Sequence, residues 1–134
     1  MSLPVIKHCI LCEDIRIEQR NLVSFMGVYG FTPHVEISIF DFKLPVAFCA
    51  VFNGEPADGK FAITLQVRAP DGTRVQGQVL PEINEQIYQS QLPSVFAFRA
   101  NMVFPKPDTY TLVAAANGAE FFSDTFRISQ SPRQ

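Results

Sequence analysis

The stretch from residue 95 to 128 constrains the fold most: apolar and polar residues alternate, break at Pro105-Lys106-Pro107-Asp108, resume, reverse at Asn117-Gly118 and resume again. Successive side chains on an extended strand point to opposite faces, so this rhythm spells three antiparallel strands, the last two joined by a tight hairpin. Phe96, Phe98, Met102 and Phe104 share one face of the first, which makes that strand a wall of the core.

The same reading over the rest of the chain gives further strands at 5–17, 22–29, 35–42, 46–52, 61–67 and 75–79. Eight or nine strands with scarcely a helix predict an all-β fold, an antiparallel β-sandwich, in one domain spanning 1–134, with a frayed tail from about 130 to 134. A chain of 134 residues buries a sizeable core without disulfides or metal. Gly27 and Gly30 mark a bulge or a close backbone approach. Lys43-Leu44-Pro45 either separates two strands or bulges one long edge strand. Residues 81–94 read either as a short helix, with Ile83 and Ile87 four apart, or as a polar loop.

A net charge of -2 with singly scattered charges leaves no basic footprint for nucleic acid or an anionic membrane. No apolar run reaches the roughly 20 residues of a membrane span, so membrane insertion is not expected. Lys7 and His8 interrupt the first apolar run and no small-residue cleavage pattern follows, which predicts a soluble, cytoplasmic protein. Cys9, Cys12 and Cys49 are an odd number, as suits a reducing compartment. Cys9 and Cys12 form a CxxC, but three apart on a strand they face opposite ways, and no helix follows as in a redox motif. They are expected to be buried structural thiols.

No constellation for catalysis is visible. His8 and His34 stand in no partnered spacing, and Ser24, Ser38, Ser94 and Ser123 lack a Gly-x-Ser-x-Gly elbow. Neither a glycine-rich phosphate loop nor a metal-ligand spacing occurs, so the expectation is a non-enzyme without cofactor. Asp14 and Arg16, at i and i+2, are expected to form a structural ion pair. If connections alternate between the two poles of the sandwich, 53–60, 81–94 and 117–118 share a pole. Asn53, Glu55, Asp58, Glu82, Asn84, Glu85 and Asn117 then form either a solvated loop end or an oxygen-rich calcium site. Tyr88 or Phe31 is the aromatic platform that a sugar would need there.

Two motifs carry a resemblance. Pro107-Asp108-Thr109-Tyr110-Thr111-Leu112 entering a late strand resembles the corner of immunoglobulin-like sandwiches, which implies a Greek-key topology and a Tyr110 hydroxyl bonded to upstream backbone. The strand Cys12-Glu13-Asp14-Ile15-Arg16, then a turn and a strand ending Gly27-Val28-Tyr29, is similar to the opening of a family of small uncharacterised bacterial proteins, a domain of unknown function. That resemblance covers most of the chain and implies no activity, cofactor or site residue.

The apolar content supplies the remaining clue. Val, Ile, Leu, Met, Phe, Tyr and Cys number 52, against about 26 inward positions on eight strands. Two stretches are apolar on both faces: Leu22, Met26 and Val28 oppose Val23, Phe25 and Tyr29, and Phe40, Phe42 and Leu44 lead to Phe48 and Phe52, opposed by Cys49 and Val51. A strand apolar on both faces needs a second layer, from its own chain or another subunit. Phe40, Phe42, Leu44, Phe48 and Phe52 are therefore the candidate interaction surface. The expected function is a protein-interaction or assembly module, with itself as a homodimer or with another protein. The alternative is a sandwich binding a sugar, a small apolar molecule or calcium at one pole.

Overall fold

The structure, a computed structural model, describes residues 5–17, 23–54, 63–81 and 95–131. Among them are nine strands and no helix: β1 (Ile6–Ile17), β2 (Val23–Phe31), β3 (Glu36–Ile39), β4 (Val46–Gly54), β5 (Ile63–Arg68), β6 (Gly77–Pro81), β7 (Val95–Met102), β8 (Asp108–Ala116) and β9 (Ala119–Gln130). They form a five-stranded sheet in the order β2-β1-β4-β7-β6 and a four-stranded sheet in the order β3-β9-β8-β5. The chain is the all-β, two-sheet protein that its alternation implies.

Residues 35–52 are two strands, not one. β3 runs parallel to β9 in the four-stranded sheet, whereas β4 lies at the centre of the other, between β1 and β7. Between them the Asp41 carboxylate accepts the Lys43 amide at 3.0 Å and the Asp41 carbonyl accepts the Leu44 amide at 3.3 Å. An aspartate bonding its own backbone two residues on makes a turn, and Pro45, lacking a donor, cannot continue a ladder.

The core fills the space between the sheets. Leu11, Phe48, Ala50, Phe52, Phe98, Ala100 and Met102 face Ile37, Leu65, Val67, Tyr110, Leu112, Ala114, Phe126 and Ile128. At one end, the Phe104 ring lies 4.9 Å from Tyr110 and 6.0 Å from Phe126, centroid to centroid, and edge-on to both. Such edge-to-face packing sets the electropositive rim of one ring against the face of the next. The buried Tyr110 donates its hydroxyl to the Lys106 carbonyl at 2.7 Å, the backward bond implied by the corner motif.

Phe48 and Phe52 require a correction. Both are fully buried in this core, where Phe52 meets Phe98 and Phe122 edge-on, so neither belongs to an interaction surface. Cys49 and Val51, on the other face of β4, are also buried, in a second cluster with Cys12, Ile15 and Ala97. The two apolar faces of β4 are thus both covered within a single copy of the chain. Residues 130 and 131, expected to open a frayed tail, are held in place. β9 continues to Gln130, and the Ser131 amide donates to the Ile39 carbonyl at 2.8 Å; residues 132–134 lie outside the described residues.

Candidate functional site

A two-sheet sandwich has four edges, and each exposes backbone donors and acceptors able to pair with another strand. Here they are β2, β6, β3 and β5. β6 is five residues long and ends in Pro81, and β3 has only four residues. β5 ends at Arg68, whose guanidinium meets Glu120 at 2.6 Å. Shortness, proline and charge all discourage pairing with a foreign strand. β2 has none of these: its nine residues, Val-Ser-Phe-Met-Gly-Val-Tyr-Gly-Phe, carry no charge and no proline.

On one side β2 pairs with β1, with Asp14 opposite Met26 and Ile15 opposite Phe25; no described strand pairs with its other side. Leu11 faces Gly30 while Cys12 faces Val28, so Tyr29 is the extra residue of a bulge that bends the strand near its end. Before the bulge, 23–28 stays in register with β1. Gly27 sits there at φ 64°, and a Cβ on it would meet the Glu13 side chain. Phe25, Met26 and Val28 are 39%, 49% and 49% exposed, and because neighbours on a strand point oppositely, apolar surface flanks this edge on both faces.

The residues singled out from sequence divide sharply. Phe40 and Leu44 lie in the turn after β3, 62% and 55% exposed, while Phe42 packs partly buried against the core. Glu55, Asp58, Glu82, Glu85 and Tyr88 lie outside the described residues. Asn117 and Gly118 both take positive φ, 51° and 85°, as a two-residue hairpin between right-twisted strands requires. Asp14 is hydrogen-bonded to Arg99, Nη1 to Oδ1 at 2.7 Å, and the Arg16 charge on its own strand also acts on it. Arg99 bonding, with the Ile15 amide second, holds the Asp14 carboxyl below the usual carboxylate range. Arg99, the single charge between Val95 and Phe104, is the site residue that sequence reasoning missed; that isolation in an apolar strand was the available signal.

All three cysteines are buried as thiols. Burial pushes the Cys9 thiol up to about 12, partly offset by a hydrogen bond with Thr32. Cys12 lies directly opposite Cys49 across the β1–β4 ladder. A hydrogen bond with Cys49, then burial, raises the Cys12 thiol still further. An open depression of about 370 Å³ lies between 107–109 and 127–130, lined by one carboxylate and one guanidinium without a nucleophile-base pair. Among the described residues no group of three or more His, Cys, Asp or Glu is placed to hold a metal ion, and no helix is long and apolar enough to cross a membrane. No protein-family model matches the chain, and no curated protein is significantly similar to it.

Proposed function

We propose that this chain is a non-enzymatic protein-interaction module that takes up a further strand along the free edge of β2. The observation that carries the reading is the contrast among the four edges: the longest is also the one without charge, proline or truncation. Strand addition draws affinity from main-chain hydrogen bonds and specificity from alternate side chains. A matching strand is uncharged and apolar on both faces, as β2 itself is, so a second copy of the chain or a similar strand of another protein fits. The motifs that resemble those of a family of small bacterial proteins, 12–16 and 27–29, lie in the β1–β2 hairpin that presents this edge. An odd number of cysteines, three, favours a reducing, cytoplasmic setting.

Light scattering on the purified chain at high concentration, with co-purification at native abundance, tests the reading. Val28→Lys places a charge beside the edge without touching the core. The expected result is an oligomer or captured partner in the parent chain that is lost in Val28→Lys. A strict monomer with no partner sensitive to that substitution would overturn the proposal.

A further inference from the structure

We propose that Cys12 and Cys49 form one redox couple, a cross-strand dithiol that closes to a disulfide tying β1 to β4. The two are register partners on adjacent antiparallel strands. Directly opposed Cα atoms in such a ladder lie about 4.5–5.5 Å apart, inside the roughly 4.4–6.8 Å that a disulfide spans. Opposed residues also share a face, and these two thiols already share a hydrogen bond in the cluster on the outer side of the five-stranded sheet. Closure therefore needs side-chain rotation rather than backbone movement.

The third cysteine is excluded by the same geometry. Cys9 lies opposite Phe52 and packs in the core between the sheets, on the other face of β1 from Cys12. The CxxC adjacency in sequence is thus not adjacency in space, and the couple joins positions 12 and 49 instead.

A low-molecular-weight disulfide supplies the oxidant. The thiolate of one cysteine attacks a sulfur of the small disulfide, displacing one small thiol and leaving a mixed disulfide. The second cysteine, losing its proton, attacks the protein-side sulfur and displaces a second small thiol. One protein disulfide forms, two small thiols are released, and the two protons lost by the cysteines end on them. Both cysteines are fully buried, so exchange awaits local opening of the β1–β4 ladder. Once closed, the bond fastens the hairpin that carries the β2 edge to the central strand.

The full chain, refolded from denaturant in a buffer of oxidised and reduced glutathione, then alkylated and mapped by mass spectrometry without reduction, tests this. The expected result is one intramolecular bond between Cys12 and Cys49 with Cys9 alkylated, unchanged in Cys9→Ala and abolished in Cys49→Ala. The oxidised chain should melt higher by on the order of 10 °C, since the bond closes a long loop. A dominant bond involving Cys9, three alkylated thiols under excess oxidised glutathione, or an oxidised form that melts below the reduced one would each overturn the proposal. Mapping the parent chain decides the question even if a variant fails to fold.

Discussion

Arg99 on β7 reaches over β4 to Asp14 on β1, Nη1 to Oδ1 at 2.7 Å, so a single ion pair clasps three strands. Cys49 lies beneath, register partner of both Arg99 and Cys12. Both charged groups keep substantial contact with solvent, which limits what the pair contributes.

Asp14→Asn should therefore lower Tm only slightly, by about 2–3 °C or less, and the difference should shrink in high salt. The pH dependence has a definite sign. The folded carboxyl titrates below its unfolded value, so its contribution is complete above that value, near 4, and is lost as pH falls through the lower folded value. Parent and Asp14→Asn melts should converge under strongly acidic conditions; a gap that widens there would refute this.

Tyr110→Phe removes the hydroxyl that bonds the Lys106 carbonyl and leaves the ring in place. The expected loss is about 1–2 kcal/mol in urea denaturation, with an unchanged m-value. A loss within error would mean that the corner contributes shape but little stability.

Phe48 and Phe40 are eight residues apart, yet their truncations should differ greatly. Phe48→Ala empties a fully buried site between Phe104 and Phe126 and should cost about 3–5 kcal/mol. Phe40→Ala, at an exposed turn, should stay within about 0.5 kcal/mol. Chemical denaturation of both variants measures the contrast.

Alkali should act on the thiols from the unfolded side. Cys9 titrates near 12 in the folded protein against an ordinary thiol value of 9.0, so the buried neutral thiol favours the fold below that unfolded value. That contribution declines as pH rises through 9 towards 12. Cys9→Ala should flatten this alkaline fall in Tm, and alkylation of native parent chain at pH 8 should be far slower than in denaturant.

The hairpin at Asn117-Gly118, the alternation of β7 and the Tyr110 corner could be read from sequence because each is local: a turn chemistry, a period of two, a bond four residues long. Two-faced apolarity in 22–29 was equally visible, and it marks the strand that became an exposed edge. Alternation tells which residues share a face but not which strand lies alongside. Hence Phe48 and Phe52 read as surplus although they are core, and the local Arg16 is visible beside Asp14 while Arg99, 85 residues away, is not. The Cys12–Cys49 juxtaposition was hidden for the same reason, since register between β1 and β4 is a property of the sheet.

The parallel pairing of β3 with β9 has a kinetic side. Ser38 meets Ser129 across that pair at 3.1 Å, 91 residues apart in the chain. During synthesis, the β1–β2 hairpin emerges early, but neither the four-stranded sheet nor the core beneath Phe126 and Ile128 can close until β9 has left the ribosome. Contacts of such separation fold slowly, in milliseconds to seconds for sandwiches. Until then the nascent chain holds out its longest uncharged edge strand before the rest of the sandwich exists to restrain it.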